Sequence, residues 1–258
     1  MNNYSLEHVH YIKCIKKENS LIIFFRLLFI ITLLTIWEVL ARFNVINTFM
    51  YSSPSKIVTT IYNLFVNGNL LSHIFVTLYE ILLSFTISFL FGILIATFFW
   101  SNSFIQKIFD PYLTILNSLP KVALGPLIII WFGAGQNSIV FMSLLISVFI
   151  TIINIYQGFT STNKNHINMI KSFGANKYHI FKYIVLPENF SNIVSALKVN
   201  ISMNLIGVIM GELLVSKKGL GYLIMYGSQI FNIDLVISCV FILGIISYIM
   251  YLIINKIK

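Results

Sequence analysis

Long runs of apolar residues, separated by short polar loops, dominate the chain. A helix needs about 20 mainly apolar residues to cross a hydrocarbon core of about 30 Å, because each residue adds about 1.5 Å. Residues 81–100 and 235–254 reach this length without a charged residue. Residues 21–41 and 189–213 are also apolar enough, although each contains charged residues. The pattern therefore predicts at least four membrane-spanning helices.

The uncharged stretch 122–163 is too long for one crossing. As a continuous helix it would reach about 60 Å, which is twice the thickness of the hydrocarbon core. Its segment GAGQNS, 133–138, is rich in glycine and amides, as turns are. We therefore predict one span at 112–132, bent by its two prolines, and another at 139–157. The fold expected is an all-α integral membrane protein with about six transmembrane helices.

Composition agrees with this class of protein. Hydrophobic residues make up 58% of the chain, charged residues only 10%, and the mean hydropathy is +0.89. The net charge of +9 does not indicate a nucleic-acid partner, because the basic residues lie at the ends of apolar runs, where they suit anionic lipid. Cys14 and Cys239 lie in unlike surroundings and no histidines are paired at helical spacing, so neither a disulfide nor a metal site is expected.

The N-terminal segment 1–20 is polar and basic, and it precedes the apolar run 21–41. This run is longer than the apolar core of a signal peptide and offers no small-x-small cleavage site, so we predict a retained anchor. Lysine and arginine are more frequent on the side of the N terminus, the loop 158–188 and the C terminus than on the other side. Because basic residues are retained in the cytoplasm, both termini of this multi-pass protein are expected there.

The loop 158–188 contains KSFGANKYHIFKYIVLP, residues 171–187. Gly174 can adopt the left-handed conformation that ends a helix after Phe173, and Asn176 can cap a second helix, which Pro187 would then break. We therefore expect two short helices at an angle. An amphipathic linker at the membrane surface, with no protein partner, fits the pattern alone equally well.

Each of these two helices is expected to present a few apolar side chains. Ile167, Ile170 and Phe173 would share one side of the first helix. In the second helix the apolar side chains could lie at the membrane boundary or beneath the bundle: Tyr178, Phe181, Tyr183 and Ile184.

Four segments carry a resemblance to a known family. Gly174, followed after nine residues by Ile-x-Leu-Pro at 184–187, resembles the cytoplasmic signature of binding-protein-dependent ABC importer permeases. SSPSKI (52–57), SLPKVALGPLIIIWFGAG (118–135) and GELLVSKKGLGYLI (211–224) are similar to the sulfonate, taurine, nitrate and pyrimidine-precursor branch. The chain departs from the family at 168–170, which usually reads Glu-Ala-Ala, and at Glu80, whose position is often basic.

The resemblance implies a type I ABC importer-like permease domain over 21–258, with a coupling helix that docks in a groove of an ATPase subunit. It also implies a homodimer of permeases, two ATPases and an extracytoplasmic substrate-binding protein. The cargo would be a small solute such as a sulfonate, taurine, nitrate or a vitamin precursor. The residues that the resemblance assigns to ATPase coupling are Ile167, Ile170, Lys171, Phe173, Gly174, Ala175, Asn176, Tyr178, Ile184, Leu186 and Pro187.

No GxxxxGK[ST] loop occurs in the chain, so ATP would be used by a separate subunit and no cofactor is expected on this one. Catalytic residue clusters are also missing, which argues against an enzyme. A stand-alone secondary transporter or channel is the alternative class, although paired carboxylates are scarce and no inverted repeat is evident.

Polar side chains in the span 189–213 are candidates for a translocation path. Asn200 and Asn204 lie four residues apart, so they share a helix face, with Met203 beside them. They could line a path, or they could form hydrogen bonds between helices. Glu212 lies near the outer end of this span and could be a gate or a boundary carboxylate.

Overall fold

The fold is built from helices connected by short turns. The computed structural model describes residues 6–256, and within this range no strand occurs. Residues 1–5 of the predicted N-terminal segment 1–20, and residues 257 and 258 of the predicted domain 21–258, lie outside the described residues. The helices are α1 (Leu6–Arg42), α2 (Thr48–Tyr51), α3 (Pro54–Asn67), α4 (Leu70–Ser101), α5 (Ser103–Ser118), α6 (Gly125–Phe132), α7 (Gln136–Thr160), α8 (Lys164–Ser172), α9 (Lys177–Ile180), α10 (Leu186–Glu188), α11 (Phe190–Val215), α12 (Leu220–Gln229) and α13 (Ile233–Asn255).

Five helices of the described chain are long and apolar enough to cross a membrane, namely α1, α4, α7, α11 and α13. They contain the predicted spans 21–41, 81–100, 139–157, 189–213 and 235–254, apart from Asn189, the first residue of the fourth, so the prediction of these spans is confirmed. The second predicted span is too short, because α4 already begins at Leu70.

The predicted span 112–132 is bent, as its prolines indicated, and the bend is sharp enough to divide it into two helices. Its residues are divided between α5 and α6, whose axes are bent by 81° around a short 3₁₀ turn, Lys121–Leu124. The break lies at Pro120, because proline lacks a backbone N–H and holds the preceding residue in an extended conformation, as Leu119 is with ψ of 141°. The predicted turn at 133–138 is confirmed for 133–135, where Gly133 has φ of +79°, whereas residues 136–138 already belong to α7.

The bent pair nevertheless connects opposite ends of the bundle. At one end, which we call the loop end, the start of α5 follows Ser101, whose carbonyl accepts a hydrogen bond from Lys177 of α9 (3.2 Å). At the other, the far end, Gln136 at the start of α7 lies in one cavity with Ser72 of α4 and Ser216 after α11. Together α5 and α6 therefore make the sixth crossing.

Helix α7 lies at the centre, packed against α4 and α11. Glycines bring the backbones close together: a Cβ on Gly211 of α11 would lie 2.9 Å from the Cα of Ile139, and one on Gly207 would overlap the backbone of Ser143. Small residues allow this kind of approach between membrane helices, where dispersion replaces the hydrophobic effect as the driving force. The three helices thus form a tightly packed core.

Asparagine and serine side chains join the same three helices. Asn204 of α11 donates through Nδ2 to Ser88 of α4 (3.0 Å), while its Oδ1 accepts from Ser143 (2.8 Å) and Ser147 (3.2 Å) of α7. Asn200 also donates to Ser88 (3.0 Å). All five side chains are fully buried, so every helix in this contact contributes to satisfying the amides.

Helix α1 is different, because the apolar part of it is not buried against the rest of the chain. Near the far end Trp37 stacks on Phe241 of α13 at 6.2 Å between ring centroids. There Glu38 also accepts a hydrogen bond from the backbone N–H of Ser55 in α3 (3.1 Å). The core therefore forms without α1.

We expect Gly207→Ala to reduce the free energy of unfolding by about 1–3 kcal/mol, because the added methyl group overlaps the Ser143 backbone. Unfolding in mixed micelles, titrated with a denaturing detergent and monitored by circular dichroism, measures the change. Gly244→Ala is the matched control, since a Cβ there meets nothing within 4 Å. Equal stability of the two variants would contradict the close contact of α7 with α11.

Asn204→Ala is expected to cost about 1–3 kcal/mol in the same measurement, since it removes the side-chain hydrogen bonds by which this residue joins α11 to α4 and α7. Ser202→Ala serves as its control on the same helix, because Ser202 is exposed and bonds only the carbonyl of Lys198 (3.0 Å). A loss no greater than that of the control would show that the amide does not join the helices.

Candidate functional site

The loop end carries two short helices around a glycine corner, as predicted. Helix α8 ends at Ser172, and Gly174 has φ of +79°, a value in the left-handed region that side chains disfavour. Asn176 caps α9, its side chain accepting a hydrogen bond from the backbone N–H of His179 (2.9 Å). The predictions for Gly174 and Asn176 are therefore confirmed.

The predicted break at Pro187 is wrong. After α9 the chain widens into a π-helical turn, Phe181–Val185, and then continues through Pro187 in α10 to Glu188. In a π turn hydrogen bonds reach one residue further back, and here the N–H of Leu186 bonds the carbonyl of Phe181, so a proline without an N–H is accommodated next to it. The helix is interrupted at Asn189 instead, between α10 and α11.

The inner face of the loop packs against a cluster of apolar side chains at the ends of α4, α7 and α11. Val185 is fully buried, and Phe181 lies 5.1 Å from the ring of Trp100 and 5.3 Å from that of Phe159. The predicted shared side of α8 is confirmed for two of its members. The side chains of Ile167 and Ile170 pack against this cluster, as does Ala175.

Hydrogen bonds fix both ends of the loop. Glu188 accepts from the backbone N–H of Asn163 at the start of α8 (3.1 Å) and lies 3.1 Å from Nδ1 of His166. These contacts, the Asn163 N–H first, lower the pKa of Glu188 below its usual value. Asn189, almost completely buried, donates to Thr162 (2.6 Å). The loop is therefore held to the bundle at its beginning and its end.

The outer face of the loop is exposed and both apolar and basic. Phe173 is 84% exposed, so the expectation that it packs with Ile167 and Ile170 is wrong; it lies beyond the last turn of α8, where the chain has begun to turn at Gly174. Met169 and Tyr178 are also exposed, as are the loop's four lysines, Lys164, Lys171, Lys177 and Lys182. Ile184 is partly buried, whereas Leu186 and Pro187 are exposed.

The candidates on α11 are not brought together with the loop. Asn200 and Asn204 are fully buried in the contact with α4 and α7, which favours the interpretation of hydrogen bonding between helices. Met203 is partly exposed. Glu212 lies at the far end. Among the described residues no cluster of metal-ligating side chains occurs.

At the far end the Glu212 carboxylate organises the start of α12. Its Oε1 accepts from the hydroxyl of Thr77 on α4 (2.6 Å), and its Oε2 accepts from the backbone N–H of Gly221 (2.5 Å). Thr77 in turn accepts from the N–H of Leu220 (2.8 Å). The carboxylate is thereby buried and tied to two other elements, which makes a solvated boundary carboxylate the wrong interpretation.

Sequence reasoning missed that Glu80 lies beside Glu212. The side chain of Glu80 is 2% exposed, and its carboxyl group lies close enough to that of Glu212 for the two to interact electrostatically. The two residues lie on different spans, α4 and α11, and no spacing rule relates them. The one signal available was that each carboxylate lies near the same end of its predicted span.

Comparison with known proteins agrees with this architecture. The family described as binding-protein-dependent transport system inner membrane component matches residues 88–257. A probable ABC transporter permease protein of Haemophilus influenzae is 31% identical over 226 residues, which cover 87% of this chain and 91% of that protein. The formylaminopyrimidine transport permease protein ThiX of Halalkalibacterium halodurans is 27% identical, covering 90% of this chain and 92% of that protein.

Among solved structures, the MetNI methionine ABC transporter in an inward-facing conformation has a similar chain. The TM-score is 0.66 at 17% identity, and the match covers 73% of this chain and 94% of that chain. This likeness confirms the predicted type I ABC importer-like fold. The family match and the relatives confirm the expected class as well, a non-enzymatic transport component. The chain therefore belongs to the inner-membrane components of binding-protein-dependent transport systems, the permease subunits of ABC importers.

Proposed function

We propose that this permease works as a pair of identical chains, that each loop end docks on an ABC ATPase, and that ATP is used by that ATPase alone. The observation that supports this proposal is the loop itself: its inner face is packed and hydrogen-bonded, whereas its outer face exposes Phe173, Met169 and Tyr178 among lysines. Large apolar side chains exposed together are typical of a surface that another protein covers.

The loop end would face the cytoplasm. The loop's four lysines lie there, and so does the end of α13, because Asn255 accepts a hydrogen bond from Lys198 near the start of α11 (2.7 Å). Basic residues are preferentially retained on the cytoplasmic side of a membrane. An even number of crossings places the N terminus on the same side. The far end would then receive cargo from an extracytoplasmic binding protein.

ATP-driven movement of the ATPases would displace the loop and tilt the helices attached to it. A lever requires a rigid connection, and the packing of Phe181 on Trp100 and Phe159 provides one to α4 and α7. Glu188 and Asn189 connect the loop to α11 as well. The residues of the loop would divide into an inner set that transmits the displacement, including Ile167, Ile170 and Ala175, and an outer set that touches the ATPase, including Lys171, Phe173 and Tyr178.

The translocation path would run beside α11. Of the four candidates on this helix Met203 is the one with a partly exposed side chain, so we place it toward the path. Asn200 and Asn204 would support the wall from behind, through their bonds to α4 and α7. Glu212 would hold the far end of the helix in place against α12.

The cargo would be a small solute. The relatives include permeases named for formylaminopyrimidine, taurine and aliphatic sulfonates, at 22–27% identity. Because selectivity in such systems rests largely on the binding protein, binding assays on the binding protein encoded beside this permease would identify the solute. An ATPase encoded in the same cluster would supply the partner for the experiments below.

Phe173→Ala is expected to weaken the complex with the ATPase by about tenfold or more, because a large exposed aromatic side chain at the centre of an interface often contributes about 2 kcal/mol. Co-purification and a titration of the purified subunits in nanodiscs measure this. Phe231→Ala is the matched control: Phe231 is 70% exposed but lies between α12 and α13, away from the loop. If both variants bound the ATPase like the original chain, the proposed docking surface would be wrong.

Replacing Gly174 tests the corner without altering its surroundings, since a Cβ there meets nothing within 4 Å. Asparagine tolerates the left-handed conformation and should preserve uptake, whereas valine, at a cost of about 1–2 kcal/mol or more in backbone strain, should reduce it several-fold. ATP-dependent uptake into proteoliposomes is the measurement, in complexes shown to be assembled. Full uptake by assembled Gly174→Val complexes would exclude the lever.

A further inference from the structure

The bend between α5 and α6 lies halfway across the membrane. In its 3₁₀ turn the ammonium group of Lys121 lies 5.5 Å from the centre of the Phe149 ring. Phe149 is about 20 Å from the start of α7 and about 16 Å from its end, at about 1.5 Å per residue. Since a hydrocarbon core is about 30 Å thick, the lysine does not bring its charge to either membrane surface.

The backbone of this bend is irregular and exposed. Pro120 has no N–H to donate to the carbonyl of Leu116, four residues earlier, and Leu119 is extended. Residues 118–120 and 122–124 are exposed in the single chain. Irregular backbone at this depth occurs where protein covers it or where it lines a water-filled cavity, and not against lipid. The bend therefore faces a second chain or water.

The charge of Lys121 favours water. Its Nζ donates a hydrogen bond to Oδ1 of Asn117 (3.2 Å), which is a neutral acceptor. Among the side chains that the structure describes, neither of the two ion pairs involves Lys121. The residue is partly exposed, so a group outside the chain can reach it. Charged residues within membrane spans face a water-filled cavity or a partner of opposite charge, because lipid solvates them poorly.

A polar cavity of about 320 Å³ extends from this depth toward the loop end. It lies between α7 and α11, and its polar lining consists of Asn154, Gln157, Ser161, Asn192 and Ser195. Asn154 lies about 8 Å along α7 from Phe149, on the side of the loop end. Polar groups thus continue from the loop end almost to the depth of the bend, as the wall of an aqueous path requires.

We propose that the bend lines the water-filled translocation path and that Lys121 binds an anionic group of the solute on its way through. An oxyanion such as a carboxylate accepts charge-assisted hydrogen bonds from an ammonium group. The proposal deepens the proposed function by naming a chemical group of the cargo, and it rests on that function in taking two copies of the chain to enclose the path. Met203, which we place toward the path, likewise lies near the middle of its helix.

The test uses the full chain in lipid nanodiscs whose mass shows two copies, without ATPase or ATP. A failure of the chains to pair, which would contradict the proposed function, is thereby recognised separately. Residues three apart eclipse each other in a 3₁₀ helix, so Leu124→Cys in a Cys14→Ser background places a thiol on the side of Lys121. Cys239 is fully buried and stays in place.

Two methanethiosulfonate reagents then modify this thiol, one carrying an anionic ethylsulfonate and the other a cationic ethyltrimethylammonium group. Each rate is normalised to the rate with a free thiol in solution. We expect the anionic reagent to react about tenfold faster than the cationic one, because a positive charge nearby raises the local concentration of anions and lowers that of cations.

Lys121→Gln should bring the ratio of the two rates to about one, since it removes the charge, whereas Lys121→Arg keeps the charge and should preserve the ratio. Lys107→Gln is the matched control. Lys107 is an exposed lysine of α5 near the loop end, so removing its charge should leave the ratio unchanged.

Ile245→Cys serves as the control for a surface that lipid covers. Ile245 is 57% exposed in the single chain and lies at the middle of α13, so a thiol there should react with both reagents at least about tenfold more slowly than one at position 124. Equally slow reaction at the two positions would show that the bend does not face water. A rate ratio of about one in the chain with Lys121, or a ratio that Lys121→Gln leaves unchanged, would show that this lysine does not attract anions.

Discussion

The close contact of α7 with α4 and α11 is the interaction on which the rest of the structure depends. Lipid offers no hydrogen bonds, so polar side chains in the spans must find partners within the protein. Here Asn200 and Asn204 find theirs across two helix boundaries, and glycines such as Gly207 bring the backbones near enough for these bonds to form. Close packing of these helices is therefore required for the buried polar side chains to form their hydrogen bonds.

The same three helices determine what the two ends of the molecule can do. At the loop end they supply the apolar cluster on which Phe181 and Val185 lie, so a displacement of the loop would be passed directly to the core. At the far end α4 and α11 hold Glu80 and Glu212 together. A tilt of α11 relative to α4 would therefore change the distance between these carboxyl groups, which connects the two ends mechanically.

Much of the fold could be predicted from the sequence, because length and hydropathy alone determine where a helix can cross a bilayer. The corner at Gly174 and the cap at Asn176 were predictable for a different reason, since both depend on local backbone preferences. The bend of the span 112–132 was predictable from its prolines, but its size of 81° was not. The wrong predictions required tertiary context, since the passage of the helix through Pro187 and the exposure of Phe173 depend on how neighbouring elements pack.

For the candidate sites, too, local sequence patterns predicted some features, whereas others depended on tertiary packing. Hydropathy located the loop and the family-like spacing indicated its role, but neither could show which of its side chains face inward. The pairing of Glu80 with Glu212 brings together residues from distant parts of the chain, and no periodicity encodes it. A carboxyl group at a position that is often basic in similar proteins was visible in the sequence, whereas its unsatisfied oxygen was visible only in the structure.

The peripheral position of α1 has a consequence for assembly. This helix contacts the core through Trp37 and Glu38 near one end, and its apolar part is not buried, so it forms an arm beside the core. In a pair of chains such an arm can rest on either copy with almost no loss of intramolecular packing. Exchange of arms between copies would then add area to the interface while leaving each core unchanged.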